Sequence, residues 1–270
     1  MEKVRFGIVA NPEIKRSIIV AKRVYDYLKK DHEVLVDDKT ARRLKVQGLK
    51  IEEMAVDIII TIGGDGTVLR TLQKNRAPVF GINTGKLGFL TEVLPVDIEA
   101  SLDRLVSGKY YLDKRKKLKV IVNGKRYPDC TNELVIHTAE IAKLRTYAIY
   151  IDGELLEDLR ADGFIVSTPT GSTSYALSTG GPIVDPRIGA FVITYIAPFR
   201  LGSSSHVVPS SSTLELHLLD PRKKSVMVFD GQVQKKISRK DVIRVTESEN
   251  EAVFIRFNMN FYEKMREKRI

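Results

Sequence analysis

A glycine-rich segment at residues 63–67 has the composition of a turn that binds an oxyanion. It reads Gly-Gly-Asp-Gly-Thr and follows Val56–Ile62, a β-branched and almost wholly apolar run that predicts a buried strand. Consecutive glycines permit positive φ and let the backbone approach an oxyanion closely. The helix predicted to follow would add free N–H groups. A carboxylate repels phosphate, so we expect Asp65 to accept a proton or to act through a metal.

The same segment is also compatible with an ordinary tight turn in which Asp65 caps a helix. It is not a Walker A loop, because no Gly-Lys-Ser/Thr follows, and Leu69 stands where the strict dinucleotide fingerprint requires glycine. A second stretch, Gly81–Leu87, is one residue short of Walker spacing and lacks the hydroxyl residue. Neither segment on its own decides the chemistry.

A hydroxyl-rich segment, Ser167–Ser178, is the second candidate for a binding surface. It contains seven serines and threonines, and it follows a strand pattern that begins after Asp162. Burying so many hydroxyls without partners would be costly. The hydroxyls, the turn backbone and Tyr175 could contact a ribose, a base and phosphates. The alternative is a solvent-exposed polar loop.

Three other features carry little information by themselves. Asn132 and Glu133 begin a strand pattern, and such a pair indicates only a cap or a surface hydrogen bond. The single cysteine, Cys130, excludes an intrachain disulfide and a multi-cysteine metal site, and we expect it to be buried. The histidines have no metal-ligand spacing, and we assign no residue as a metal ligand.

Strand and helix patterns alternate over about the first ninety-five residues. Apolar runs at Val4–Ala10, Val56–Ile62 and Pro78–Ile82 predict strands. Between the first two, apolar residues recur every three or four positions from Ile14 to Leu28, which predicts a helix. Alternation of this kind predicts a parallel, Rossmann-like α/β domain.

The pattern changes near Pro95 to short strands separated by turns. Asn123-Gly124 and Asp152-Gly153 are hairpin signals between such strands, so a predominantly antiparallel β domain is expected. We therefore predict an α/β domain over residues 1–95 and a β domain over 96–249. The segment from about 250 to 270 is expected to pack back on the first domain.

Composition excludes several classes of protein. Hydrophobic residues make up 43% of the 270 residues, enough for a sizeable core, but no apolar run reaches the length of a membrane span. A strand pattern directly after Met1 leaves no room for a signal peptide, so we expect a cytoplasmic protein without a membrane partner. The net charge of +10 suits a solvated basic face or phosphate-rich small molecules. No nucleic-acid-binding signature accompanies it, and we expect no such partner.

Taken together and in this order, the motifs resemble those of NAD kinases. They are the segments 63–67 and 81–90, the pair Asn132-Glu133, and the stretch 162–182. The first motif is shared with diacylglycerol, sphingosine and phosphofructokinase-type kinases, whereas the run Ser-Thr-Pro-Thr-Gly-Ser-Thr combined with Asn-Glu is far more specific. The resemblance covers about Val4–Phe257. Ser174 and Thr179 depart from it, because alanine is more usual at both positions.

This resemblance implies a fold, an activity and a set of partners. The fold is a Rossmann-like α/β domain joined to a β-sandwich domain, often assembled as a homodimer or homotetramer. The reaction transfers a phosphoryl group from ATP, and in some members from polyphosphate, to the 2′-hydroxyl of the adenosine ribose of NAD, giving NADP. We expect a divalent cation, Mg²⁺, to accompany the phosphoryl donor.

The resemblance also assigns residues to roles. Asp65 is the expected proton acceptor. The positions expected to contact nucleotide are Gly63, Gly64, Gly66, Thr67, Arg70, Asn83, Phe89, Asn132, Glu133, Lys143, Arg160, Asp162, Thr170, Thr173, Ser174, Tyr175, Ala176, Leu177, Ser178, Ala197 and Gln232.

Two other functions remain open from the residues. A lipid or sugar kinase could use the same Gly-Gly-Asp-Gly loop, but Asn132-Glu133 and the stretch 162–182 would then be unexplained. A dinucleotide-binding sensor without catalysis is the second alternative, and retention of Asp65 argues against it.

Overall fold

The computed structural model describes residues 3–86, 88–140, 143–200, 202–221, 224–258 and 261–267. The chain forms two units: one holds the residues up to Lys114 and those from Ala252 onward, and the other spans Arg115–Glu251. The first unit thus extends past the boundary predicted near Pro95. The reason is a helix whose apolar residues, Ile98 and Leu102 among them, are buried in the core of the first unit.

The first unit is an alternating series of strands and helices. The elements before residue 107 are β1 (Arg5–Ala10), α1 (Lys15–Leu28), β2 (Glu33–Val36), α2 (Asp38–Leu44), β3 (Ile58–Gly63), α3 (Asp65–Leu72), β4 (Val79–Asn83) and α4 (Ile98–Val106). Single turns of 3₁₀ helix lie at Ile51–Glu53 and Pro95–Asp97.

The strands of the first unit form a parallel sheet in the order β2-β1-β3-β4. Every residue of β3 is buried, as expected for an apolar strand covered on both faces. Helix α1 buries the face that carries Val20, Val24 and Leu28, the spacing seen in the sequence. The predicted parallel α/β architecture is confirmed. The carboxyl ends of β3 and β4 lie side by side at one edge of this sheet.

The second unit consists almost entirely of strands. They are β5 (Tyr111–Val122), β6 (Lys125–Arg126), β7 (Glu133–Thr138), β8 (Arg145–Ile151), β9 (Glu154–Ala161), β10 (Gly163–Ser167), β11 (Ala190–Ile196), β12 (His206–Pro209), β13 (Leu214–Leu218), β14 (Ser225–Phe229), β15 (Val233–Ile237) and β16 (Ile243–Arg256). A 3₁₀ turn, Thr170–Thr173, precedes the short helix α5 (Tyr175–Ser178). The first residues of β5, the last residues of β16 and helix α6 (Phe261–Glu267) belong to the first unit.

Two antiparallel layers make the second unit a β-sandwich, as the resemblance implied. One is a six-stranded sheet in the order β12-β11-β10-β7-β14-β15, and the other contains β16, β13, β8 and β9. Apolar residues of both layers, such as Ile136, Phe164 and Tyr147, form one shared core. No helix in the described part of the chain is long and apolar enough to cross a membrane.

The predicted hairpin turns are present. Asn123-Gly124 joins β5 to β6 and Asp152-Gly153 joins β8 to β9, with positive φ at both residues of each pair. Such φ values fit the tight turns that match the twist of paired strands. A third pair, Asp230-Gly231, has the same conformation after β14.

Candidate functional site

The glycine-rich segment links a buried strand to a helix, as predicted: β3 ends at Gly63 and α3 begins at Asp65. The expected use of positive φ is wrong, because neither Gly63 nor Gly64 has it. A Cβ on Gly63 would collide with the Thr67 hydroxyl, so this glycine is required by packing. A Cβ on Gly64 would have nothing within 4 Å. Gly64 therefore faces open space that a ligand could occupy.

The Asp65 carboxylate is held by backbone N–H groups from the loop after β4. Phe89 N–H donates to Oδ2 at 2.9 Å, and the N–H groups of Leu90 and Thr91 donate to Oδ1 at 3.2 and 3.3 Å. Asp65 is half-buried, and Oδ2 accepts the Phe89 N–H alone among the described residues. One acceptor direction on Oδ2 is thus left for a further donor.

The loop approaches Asp65 closely because residue 88 is glycine. A Cβ on Gly88 would overlap the Asp65 carboxyl group. The Thr91 hydroxyl accepts the Gly88 N–H and the Asn83 side-chain amide, both at 3.0 Å. The predicted residues Asn83 and Phe89 therefore lie in the same arrangement as Asp65, with Asn83 in a supporting position. Leu87, part of the same predicted stretch, lies outside the described residues.

Arg70 on α3 faces the end of β1 rather than the Asp65 carboxylate. Its guanidinium donates to the Ala10 carbonyl at 3.0 Å. The buried Asp37 lies near it; burial raises the pKa of Asp37, and hydrogen bonding from Thr40 and the charge of Arg70 oppose the shift. Thr67 is buried and packs under Gly63. In this structure Thr67 supports the glycine-rich segment, whereas Arg70 contacts the end of β1.

In the second unit, a buried carboxylate organises the start of β7. Asp230 is 3% exposed and accepts the N–H groups of Thr131, Asn132 and Glu133 at 2.8, 2.8 and 3.1 Å. The Asp230 N–H in turn donates to the Glu133 carbonyl at 3.0 Å. Burial raises the pKa of Asp230 to about 6, although the three N–H donors oppose the shift. Asp230 therefore fixes the backbone that carries the Asn132-Glu133 pair.

Glu133 carries the most strongly perturbed carboxyl group of this arrangement. Burial, and then the nearby Asp230 carboxylate, raise its pKa to about 8, against opposing hydrogen bonds from the Ser174 hydroxyl and the Tyr175 N–H. Glu133 Oε2 and Asn132 Oδ1 are buried and have no hydrogen-bond partner in the described structure. Buried polar atoms are normally paired, so these two atoms indicate a place for a ligand or ordered water.

The hydroxyl-rich segment is largely buried, so its interpretation as an exposed loop is wrong. Ser167, Thr168 and Ser172 are fully buried, and their hydroxyls are paired with carbonyls. The Thr168 hydroxyl donates to Thr131 O at 2.6 Å and the Ser167 hydroxyl to Asn132 O at 3.2 Å. These bonds fix the segment against the Asn132-Glu133 pair.

The predicted residues of the second unit fall into two groups at opposite ends of β10. In the register, Ser167 pairs with Glu133 at one end, and Gly163 pairs with Ile196 at the other. At about 3.4 Å per residue, these ends are roughly 14 Å apart. The Glu133 group comprises Asn132, Glu133, Thr170, Thr173, Ser174, Tyr175 and Gln232, with Ala176, Leu177 and Ser178 continuing along α5. The Asp162 group comprises Lys143, Arg160, Asp162 and Ala197.

Within the described residues of the Asp162 group, only Asp162 has a buried polar side-chain atom that lacks a hydrogen-bond partner. Its Oδ1 is buried and has no partner in the described structure. Arg160 is exposed and lies over the ring of Phe199, and Lys143 is exposed. Ala197 has a φ of 45°, an unusual conformation for a residue with a side chain.

The raised pKa of Glu133 predicts how the stability of the chain changes with pH. Between the ordinary value of 4.5 and about 8, the unfolded chain loses this proton while the folded chain keeps it, so stability falls as pH rises. Glu133→Gln has no proton to lose. We expect the difference in melting temperature, Glu133→Gln minus the natural chain, to increase from pH 5 to pH 8. Thermal unfolding at several pH values measures this, with the exposed Glu154→Gln as control. A difference that is constant with pH would contradict it.

Sequence reasoning missed several residues that build these arrangements. Gly88 and Thr91 position the loop around Asp65, Asp230 orders the start of β7, and Arg256 and Lys264 bind the loop carbonyls. An Asp-Gly pair between two strand patterns could have predicted the turn at Asp230, but nothing in it predicts what the carboxylate binds. Arg256 and Lys264 have no local signal at all.

Family models and curated relatives match nearly the whole chain, and all of them describe the same family. Residues 6–110 match the family model described as the ATP-NAD kinase N-terminal domain, and residues 131–257 match that of the ATP-NAD kinase C-terminal domain. The chain is 45% identical to an NAD kinase of Thermococcus gammatolerans over 266 residues, covering 96% of both chains. It is 41% identical to that of Thermoplasma acidophilum over 264 residues, covering 98% of this chain and 97% of the other.

Solved structures give the same picture. An NAD kinase from Archaeoglobus fulgidus in complex with ATP has a TM-score of 0.81 at 30% identity, covering 98% of both chains. Yeast NADH kinase complexed with NADH shares the fold, with a TM-score of 0.90 at 22% identity, covering 98% of this chain and 87% of the other. The chain therefore belongs to the NAD kinase family, whose members are enzymes that phosphorylate NAD.

Proposed function

We propose that the chain transfers a phosphoryl group to the 2′-hydroxyl of the adenosine ribose of NAD, with Asp65 as the proton acceptor. The observation that carries this proposal is the Asp65 carboxylate, fixed by N–H donors and open at Oδ2, beside the open space at Gly64. A ribose hydroxyl is a poor nucleophile, and its proton must leave as the phosphoryl group arrives. A carboxylate within hydrogen-bond reach can orient the hydroxyl and accept that proton.

The Glu133 group is the proposed contact surface for the adenosine part of NAD. With a pKa of about 8, Glu133 keeps its proton at neutral pH, so its carboxyl can both donate and accept. Asn132 offers an amide of the same dual character. These two groups suit ribose hydroxyls and the edge of adenine, and the half-exposed ring of Tyr175 offers a stacking face. The other residues assigned by the resemblance stay proposals for nucleotide contact.

ATP is the proposed phosphoryl donor, and polyphosphate is a second candidate. The likeness to an NAD kinase in complex with ATP supports the first. Backbone N–H groups and a net charge of +10 suit any phosphate chain, which supports the second. In the described part of the chain no three His, Cys, Asp or Glu side chains form a metal-binding group. The described residues do not form a cage for Mg²⁺, and we propose that the cation enters on the donor's phosphates.

A coupled assay of NADP formation tests the activity, the donor and the cation together. Purified chain with NAD, ATP and Mg²⁺ should give NADP, which an NADP-dependent dehydrogenase then reduces. Excess chelator should abolish the absorbance of the reduced product. Polyphosphate replaces ATP in a parallel reaction. Absence of NADP with either donor, together with thermal stabilisation by NAD, would instead support a sensor. Turnover that persists in chelator would contradict the role of the cation.

We also propose that the chain is a cytoplasmic homodimer or homotetramer. The Asp162 group lies about 14 Å from the Glu133 group along β10, so two copies could each supply one group to a bound dinucleotide. Sedimentation of the purified chain tests this assembly, and a monomer at micromolar concentration would contradict it. Cell fractionation tests the compartment. The lipid or sugar kinase alternative is not favoured by the comparisons.

A further inference from the structure

Residues 89–91 form a short loop segment whose backbone is bound on both sides. Its N–H groups donate to the Asp65 carboxylate. Its carbonyl groups accept from two cationic side chains near the end of the chain: Arg256 donates to Leu90 O at 3.0 Å and to Phe89 O at 3.4 Å, and Lys264 donates to Thr91 O at 2.7 Å.

Two peptide groups therefore lie between Arg256 and Asp65 and are hydrogen-bonded to both. The peptide between residues 89 and 90 accepts Arg256 at its oxygen and donates to Asp65 from its N–H, and so does the peptide between residues 90 and 91. A hydrogen bond to the oxygen of a peptide polarises it and strengthens its N–H as a donor. Arg256, bound at the oxygens of these peptides, thus strengthens the hydrogen bonds that their N–H groups donate to the Asp65 carboxylate.

The two cations are themselves held in place. Arg256 is 5% and Lys264 3% exposed, and Glu92 lies between them, at 3.1 Å from Arg256 and 3.5 Å from Lys264. Asp113 contacts the Arg256 guanidinium at 3.3 Å. Burial, and then the charge of Arg256, lower the pKa of Lys264 to about 8, while Glu92 and Asp65 oppose the shift. Buried cations with this many partners have little freedom to move.

We infer that Arg256 and Lys264 are positioning residues for Asp65, acting through the backbone of residues 89–91. This inference rests on the proposed role of Asp65 as proton acceptor. Neither cation touches the carboxylate by a hydrogen bond; both fix the peptides that do. The end of the chain, β16 and α6, thereby determines how the carboxylate of the glycine-rich segment is oriented.

The test is a kinetic comparison of Arg256→Lys with the natural chain. Lysine keeps the charge but replaces the planar guanidinium, whose separate nitrogens reach Leu90 O, Phe89 O and Glu92, with one compact ammonium. We expect kcat to fall about tenfold with the KM values for NAD and ATP within about twofold, because misplacing a catalytic group lowers the rate of the chemical step. Arg104→Lys is the matched control, since Arg104 donates to the carbonyls of Lys109 and Phe257 and not to the loop. Its kcat should not change.

Lys264→Met is the second variant, and it removes a loop contact from a helix of seven residues near the end of the chain. Both variants are repeated in an Asp65→Asn background. If the cations act through Asp65, neither lowers the residual rate further, since effects of residues that act as a unit do not add.

The outcomes separate this inference from the proposed function. Full kcat in both single variants, raised KM values with kcat unchanged, or equal losses in the two backgrounds would each overturn the inference. Near-normal turnover of Asp65→Asn alone would instead overturn the proposed role of Asp65.

Discussion

Asp65→Asn should lower the turnover of NAD at least about a hundredfold, the typical lower range for loss of a general base. The amide cannot accept the proton of the ribose hydroxyl. Binding of NAD, measured by calorimetry, should change little, because the proposed adenosine contacts lie in the Glu133 group. The measurement is the initial rate of NADP formation at saturating NAD and ATP.

The structure adds a second effect that the control must separate from the first. All three loop N–H groups point at the Asp65 carboxylate, so an Asn amide would face at least one of them with its own N–H. Losing a buried hydrogen bond to a charged group costs about 1.5–3 kcal/mol, so the melting temperature should also fall. Thr91→Val loosens the same loop by removing its hydroxyl but keeps the carboxylate. Because it displaces the carboxylate without removing it, Thr91→Val should lose less turnover than Asp65→Asn. If Asp65→Asn keeps near-normal turnover, Asp65 only shapes the loop.

The parts of the fold that depend on residues close together in the chain were predictable from the sequence. The parallel strands of the first unit follow from apolar runs such as Val56–Ile62, because a strand covered on both faces has no polar side. The hairpins at Asn123-Gly124 and Asp152-Gly153 follow from residues that tolerate positive φ. The change of pattern near Pro95 does not give the domain boundary, because the helix after it, α4, has no sequence signal that tells which core it packs against.

The contacts that hold the candidate site were not predictable, because they join residues far apart in the chain. Asp65 is bound by residues 24 to 26 positions later, Asp230 binds residues 97 to 99 positions earlier, and Arg256 binds Leu90, 166 positions away. The glycine-rich context and the resemblance identify Asp65. What holds its carboxylate depends on which strand ends the sheet brings side by side.

Gly88→Ala should lower kcat about a hundredfold while leaving the Asp65 carboxylate chemically intact. The new Cβ would overlap that carboxyl group, so either the carboxylate must rotate away or the loop must retreat. Both movements break the N–H contacts from Phe89, Leu90 and Thr91 and displace the proposed base, and a displacement of about 1 Å can cost a hundredfold in rate. Initial rates with NAD and ATP measure the loss.

The matched control is Gly85→Ala in the same loop. A Cβ at Gly85 would meet only the Asn83 side-chain oxygen, at 3.7 Å, and φ of Gly85 lies outside the positive range. Its melting temperature should therefore stay near that of the natural chain, whereas Gly88→Ala should lose about 1–3 kcal/mol of stability, the usual cost of overpacking. A Gly88→Ala chain with normal kcat would show that turnover does not depend on where the loop holds the Asp65 carboxylate. The glycine at 88 would then serve packing alone.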